Sequence, residues 1–286
     1  YMLTNPPYGV SWKSEKDFVK TESENPDGRF SIGTPRVSDG QLLFLQHLIS
    51  KMESKGSRIG IVLNGSPMFT GDAGSGESEI RKWLIENDYV ECIVSLPDKL
   101  FFNTSITTYI WILTNNISKE REGKIQLING SKMFTTLRKN LGEKSKEISL
   151  DGQIEIIKTY SDFVESDICQ IHDNEFFKYT KVTIEQPLEK DGDFVTNKQG
   201  KIKPDPKKRD YERIPFSDDI HDYFEKEVKP YSPRSWMDLS QNKTVYEINY
   251  SKYFYKYQPL RSIDEVTKDL IELEKDSENL LKDIID

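Results

Sequence analysis

The chain has 286 residues, 35% apolar and 31% charged, with a formal net charge of −8. Such a length accommodates one or two domains. The acidic balance excludes a protein that grips nucleic acid through bulk positive charge, so any such contact must be local or supplied by a partner. No apolar run is long enough to span a bilayer, and no basic-then-apolar signal segment opens at Tyr1. Cys92 and Cys169, the two cysteines, suit free thiols in a reducing cytosol better than a disulfide framework. A cytoplasmic location is therefore expected, with no membrane involved. His47, His172 and His221 lie far apart without metal-ligand spacing, and no metal is expected.

The first element is a short apolar run, Tyr1 to Thr4, which reads as a strand. It ends in Asn5-Pro6-Pro7-Tyr8, followed by Gly9. A residue before proline is held in extended geometry, and proline itself fixes φ. The side-chain carbonyl of Asn5 and the backbone carbonyl of Pro6 thus form a pre-aimed pair of acceptors. Acceptors aimed at both N–H bonds of an amine favour a more tetrahedral nitrogen and stabilise positive charge that develops on it. Tyr8 adds a ring that can stack on a flat ligand. The plain alternative is an Asn-Pro turn with a buried tyrosine.

A polar loop is expected over about 10–36, long enough to be functional or mobile. Ser38 reads as the N-cap of a helix over about 39–54, with Leu42, Leu45, Ile49 and Met52 at helical spacing. Ile59 to Leu63 reads as a buried strand. The loop Gly71-Asp72-Ala73-Gly74-Ser75-Gly76 then leads into a helix over 78–87, as a flexible connection or a DNA or partner contact. Val90 to Leu96, Thr107 to Thr114 and Lys124 to Ile128 read as further strands. Alternating strands and helices imply an α/β fold with a parallel sheet. At the end of one strand, Phe101, Phe102, Asn103 and Thr104 fall where open α/β sheets place their sites. Trp83 and Trp111 read as core.

Lys132 to Lys146 gathers Arg138, Lys139, Lys144 and Lys146, either a solvated helix face or a contact for DNA phosphates. Ile154 to Phe163 looks helical. Residues 189–213 are rich in Lys, Asp, Gly and Pro and read as a linker or exposed loop. Asp219 to Val228 is expected to be helical, and the tyrosines of 246–257 to pack around a small second unit. Ser262 to Glu265 is a capping box. From there Ile263, Val266, Leu270, Leu273, Ser277, Leu280 and Ile284 step by three and four. That is a heptad seam, suited to a partner helix or to folding back on its own domain.

Asn-Pro-Pro-Tyr after a strand is the tetrapeptide of methyltransferases that act on exocyclic or amide nitrogens. Further blocks narrow the likeness: Gln41-Leu42-Leu43-Phe44-Leu45-Gln46-His47, the run from Gly71 to Arg81, and Leu96-Pro97-Asp98-Lys99-Leu100-Phe101-Phe102-Asn103-Thr104. Together they resemble the second half of the modification subunit of type I restriction–modification systems. The likeness is good over residues 1 to about 135, thin through 136–230, and weak again around Tyr246–Ile248 and Phe254–Tyr257.

The resemblance implies a DNA adenine-N6 methyltransferase. Its expected architecture is the C-terminal half of a Rossmann-like S-adenosylmethionine-dependent methyltransferase sheet. A mixed or helical C-terminal region ending in a long amphipathic helix would follow. Expected segments are 1–130 (catalytic half-domain), 131–188 (extension), 189–261 (linker and aromatic-rich region) and 262–286 (heptad-like helix). Asn5, Pro6, Pro7 and Tyr8 would be catalytic, with Tyr8, Phe102 and Asn103 on the substrate base. The cofactor would be S-adenosylmethionine. Its glycine loop and acidic residue precede Asn-Pro-Pro-Tyr in the family, so the chain is expected to be a C-terminal fragment, inactive alone.

Expected partners are double-stranded DNA, a specificity subunit and a restriction subunit. Ile263, Val266, Leu270, Leu273, Leu280 and Ile284 would meet a partner helix, or a second copy through self-association. Alternatives are a single-chain restriction–methylase fusion, a methyltransferase for RNA or protein glutamine, and a subunit that chiefly mediates assembly.

Overall fold

The computed structural model describes residues 1–190, 192–257 and 262–285, the side chains of Asp264 and of residues 276–285 excepted. Contacts divide the chain into two compact units, Tyr1–Tyr250 and Ser251–Asp286. The first unit opens with Met2–Thr4 (β1), Lys16–Ser23 (α1), Gln41–Ile49 (α2), Arg58–Asn64 (β2), Ser66–Phe69 (α3) and Gly76–Glu86 (α4). Next come Val90–Ser95 (β3), Thr108–Thr114 (β4), Lys124–Asn129 (β5), Phe134–Leu141 (β6), Lys144–Ile148 (β7), Leu150–Asp162 (α5) and Cys169–Asp173 (β8). It continues with Lys178–Glu185 (β9), Glu189–Lys190 (β10), Asp193–Phe194 (β11), Asp210–Pro215 (β12), Ile220–Tyr223 (α6) and Trp236–Tyr246 (β13). Tyr250–Tyr253 (α7) spans the boundary between the units, and Ile263–Ile285 (α8) lies in the second.

The central sheet has the order β1-β2-β4-β3-β5-β8. β1, β2, β3 and β5 run one way, and β4 and β8 run the other. The α/β class holds, but the sheet is mixed rather than parallel. β4 follows β3 through a connection, residues 96–107, that holds no helix, and parallel neighbours are usually joined through one. It therefore folds back and inserts antiparallel between β2 and β3, pairing Trp111 with both Ile61 and Ile93. All six residues of β3 are buried, as a strand covered on both faces should be. Trp111 is buried in this core, whereas Trp83 is half-buried and packs on Tyr89.

Two helical readings shift. α2 starts at Gln41 with Gly40 at its N-cap and no side-chain cap, so Ser38 is not the cap, and Met52 lies past its end. The polar stretch before it contains α1, whose one buried residue, Val19, joins Trp12, Phe30 and Leu43 in a small cluster. The basic segment after Ser131 is not a helix but the hairpin β6–β7. Within 189–213, β10 and β11 form a short hairpin and β12 begins at Asp210.

A second, three-stranded antiparallel sheet, β12-β9-β13, has its own core of Val182, Ile184, Ile214, Phe224 and Val228. Residues 71–76 form the joint between the two sheets. Lys181 Nζ lies 2.6 Å from Asp72 Oδ1, and Lys243 Nζ donates to the Ala73 carbonyl at 3.2 Å. Arg81, on α4, is buried beside this joint. Its Nε donates to the Tyr246 carbonyl at 2.6 Å, and Nη1 to those of Pro67 and Thr70 at 3.0 and 2.9 Å. At Gly76 a Cβ would fall 1.8 Å from the Thr34 carbonyl oxygen, so the close approach requires glycine. Tyr250, also buried, takes a hydrogen bond from the Ser95 amide and donates to the Ile128 carbonyl, pinning the ends of β3 and β5.

In the second unit, α8 begins with the reciprocal capping box. The Ser262 amide donates to Glu265 Oε2 (3.0 Å), and the Glu265 amide donates to Ser262 Oγ (3.2 Å). Ile263, Val266, Leu270 and Leu273 are exposed along this helix. Leu280 and Ile284 lie outside the described side chains. Among the described residues, no helix is long and apolar enough to cross a membrane.

Candidate active site

β1 and β2 pair in parallel, with Thr4 opposite Ile61. Their carboxyl ends open into a cleft of ≈640 Å³ lined by Asn5, Pro6, Pro7, Tyr8, Gly9, Val10, Asn64, Phe101, Asn103, Thr104 and Ile106. Three segments build it. The Asn-Pro-Pro-Tyr turn leaves β1 and closes at Gly9, whose φ of 61° is a conformation glycine adopts without strain. Asn64 ends β2, where its Oδ1 accepts from the Ser66 amide at 2.9 Å. The β3–β4 loop contributes Phe101 and Asn103, pinched by a bridge between Phe101 and Thr104.

The floor is fixed from behind. Gln41 Oε1 accepts from the Asn64 amide at 3.0 Å, while Gln41 Nε2 donates to both carboxylate oxygens of buried Asp39, each at 3.0 Å. Arg36 bonds Ser66 Oγ at 2.7 Å and lies 3.6 Å from Asp39. These contacts tie the start of α2 to the end of β2 and fix the position of Asn64 in the cleft.

The Tyr8 hydroxyl donates to Asn5 Oδ1 at 2.5 Å. Burial pushes the Tyr8 phenol up to about 12, outweighing that hydrogen bond, which acts the other way. The hydroxyl therefore stays protonated and remains a donor. Asn5 Oδ1 has two lone pairs; Tyr8 takes one, which fixes the amide plane and leaves the other for a ligand N–H. The Phe101 ring meets Tyr8 edge-on, with centroids 6.0 Å apart and planes at 72°.

Asn5, Pro6, Pro7, Tyr8 and Asn103 thus share one cleft. Phe102 does not line it. That residue is 64% exposed, and Lys144 Nζ stands 5.4 Å from its ring centroid. Its neighbour Phe101 faces the cleft instead. The backbone decides between them, because Lys99 adopts a φ of 57° and the Phe101–Thr104 bridge turns the loop inward. Asn64, Val10 and Ile106 were not expected in the cleft; the signal for Asn64 is its place at the carboxyl end of a parallel strand.

No carboxylate lines the cleft. The lining fits a flat, amine-bearing base between acceptors and rings. Its polar side chains besides Asn5 and Tyr8 are the neutral groups of Asn64, Asn103 and Thr104. Among the described residues no cluster of His, Cys, Asp or Glu is placed to hold a metal ion.

Residues 1–204 match the model of the N-6 DNA Methylase family. The chain is 34% identical over 140 residues to the type I restriction enzyme MjaVII methylase subunit of Methanocaldococcus jannaschii, covering 47% of this chain and 22% of that protein. It is 38% identical over 108 residues to the type I restriction enzyme HindI methylase subunit of Haemophilus influenzae, covering 38% and 23%. The fold matches the crystal structure of a type I restriction-modification system methyltransferase subunit from Streptococcus thermophilus with a TM-score of 0.51 at 27% identity, over 61% of this chain and 34% of that one. The chain therefore spans about a quarter of the length of those two methylase subunits. A cleft of acceptors and rings at the carboxyl ends of β1 and β2 accompanies a family match over residues 1–204, and this chain belongs to the N-6 DNA methylase family.

Proposed function

We propose that this chain supplies the target-base site of a DNA adenine-N6 methyltransferase acting as the modification subunit of a type I restriction–modification system. The observation that carries this reading is the shared cleft, in which Asn5 Oδ1, held by Tyr8, lies among Pro6, Asn64 and Phe101. In the proposed reaction, adenine leaves the duplex stack and enters the cleft. Tyr8 and Phe101 contact its ring. Asn5 Oδ1 and the Pro6 carbonyl accept from the two N–H bonds of the amino group and stabilise the charge that develops on it. The nitrogen loses a proton only after it has gained the methyl group, so no side chain with a shifted pKa is needed as base. S-adenosylmethionine would be the methyl donor, held by groups other than those lining this cleft.

The test is the product. An enzyme containing this chain, given duplex DNA and labelled S-adenosylmethionine, should place label on adenine N6 and nowhere else in the DNA. Label on cytosine, on RNA or on protein glutamine, with adenine unlabelled, would sink the proposal.

A second reading, an assembly role, is favoured by α8. Four exposed apolar side chains, Ile263, Val266, Leu270 and Leu273, follow a heptad seam on a capped helix. The two relatives described above are named as subunits, and we propose that this stripe takes a helix of the specificity subunit. Leu270→Asp with Leu273→Asp should abolish co-purification with that subunit; unchanged assembly would refute this role for α8.

A further inference from the structure

We infer that the β6–β7 hairpin is a clamp for the phosphate backbone of duplex DNA beside the flipped base; this rests on the proposed adenine-methylating function. The chain carries −8 overall, yet Phe134–Ile148 holds Arg138, Lys139, Lys144 and Lys146 against Glu143 and Glu147, a net of +2. That is a local inversion of charge in an acidic protein, the pattern a phosphate contact requires when bulk charge is unfavourable.

The hairpin is fixed to the cleft rather than hung beside it. The Glu143 amide donates to the Phe102 carbonyl at 3.0 Å, and the Ser145 and Lys146 amides donate to the Lys99 carbonyl at 3.1 and 3.2 Å. Gly142, with a φ of 62°, makes the turn, and a Cβ there would fall 2.4 Å from the Phe102 carbonyl oxygen. The loop that the hairpin grips carries Phe101 and Asn103 into the cleft. At its other end Ile148 packs against the core cluster of Cys92, Val94 and Ile128.

Two of the four cations are already engaged. Lys146 pairs with Asp98 and covers Phe134, and Lys144 stands over Phe102. Arg138 and Lys139 are exposed and, among the described residues, make no ion pair. They sit where the β6–β7 register slips, between Thr136 and Leu141. Both lie within β6 and face solvent, on the hairpin whose other strand and turn grip the loop that forms one cleft wall. With exposed Lys99 on the loop itself, they supply cations for the phosphates that flank an extruded base.

The test is duplex-DNA binding by the 286-residue chain across a range of salt concentrations. Arg138→Gln with Lys139→Gln should lower the slope of log K against log salt by about 1.8, two phosphate contacts at about 0.9 each. Arg138→Lys with Lys139→Arg should keep the slope. Asn5→Ala should also keep it while losing methyl transfer in the complete enzyme. An unchanged slope in the glutamine variant, or no salt-dependent DNA binding by the unsubstituted chain, overturns the clamp. Full activity in Asn5→Ala would instead sink the adenine reading, with the slopes still deciding the hairpin. Binding of an acidic peptide but not of DNA, lost in the glutamine variant, would reassign the patch to a protein partner and reject the clamp.

Discussion

At the scale of single residues, the site turns on how Asn5 is held. An asparagine side chain can present its oxygen or its NH2 group to a ligand, and only the oxygen accepts from an amine. The Tyr8 hydroxyl settles the matter by donating to Oδ1. Tyr8→Phe keeps the ring and removes this donor. A neutral hydrogen bond of this kind is worth about 0.5–1.5 kcal/mol, so methyl transfer at saturating DNA should slow by roughly twofold to tenfold. Tyr8→Ala should cost more, because the ring is lost as well. Equal rates for Tyr8→Phe and the unsubstituted enzyme would mean that Asn5 is oriented by something else. The turn that brings Asn5 and Tyr8 together was legible in sequence because strand, prolines and tyrosine are consecutive, and prolines encode geometry locally; the hydrogen bond between the two was not. The choice of Phe101 over Phe102 was not. Two adjacent identical side chains carry no pattern, and the loop backbone, with Lys99 at positive φ and the Phe101–Thr104 bridge, sets which one faces the cleft.

At the scale of elements, buried polar side chains do much of the joining. Arg81 serves three carbonyls from α3, the turn after it and the end of β13; burial lowers its guanidinium to about 10. Arg81→Met leaves those carbonyls unpaired while filling similar volume. Each orphaned buried acceptor costs about 1–3 kcal/mol, so with three of them chemical denaturation should show stability lower by at least about 3 kcal/mol. A change below about 1 kcal/mol would mean the joint is not held through Arg81.

Two histidines give a pH dependence. Burial lowers the His172 pKa, and burial together with Arg29 and Lys51 lowers that of His47, both from 6.5. The unfolded chain then takes up these protons first. Their contribution to stability is full above pH 6.5 and is lost as the pH falls below it. Denaturation midpoints should drop between pH 7 and 5.5, and less so in His47→Gln. A midpoint that rose over that interval would contradict this assignment. Strand identities were legible from apolar runs, but strand order was not, because an apolar run does not state its neighbours. The hairpin β6–β7 was missed for a related reason. Its residues are half-buried or exposed, so neither strand shows the alternation that one buried face imposes.

At the scale of the whole molecule, the chain presents a cleft of acceptors and rings, a basic hairpin gripping its wall and, in a separate unit, a helix with an exposed apolar stripe. With no carboxylate in the cleft, the chain alone should show no stoichiometric micromolar binding of S-adenosylmethionine by calorimetry. A tight site would mean that the cleft, or another surface of this chain, holds the cofactor after all. Cys92 and Cys169 are buried, and burial raises both thiols above their ordinary value. Neither should react with a thiol reagent until the protein unfolds.

The central claim is that Asn5 and its neighbours receive the target adenine. The most direct measurement is the single-turnover rate of methyl transfer to duplex DNA by the complete enzyme, with and without Asn5→Ala. Removing one preorganised acceptor typically costs about 2.7–4 kcal/mol of barrier, or a hundredfold to thousandfold in rate. That loss, with subunit assembly and DNA binding intact, is the expected result. An Asn5→Ala enzyme that methylates adenine at the unsubstituted rate would contradict the account.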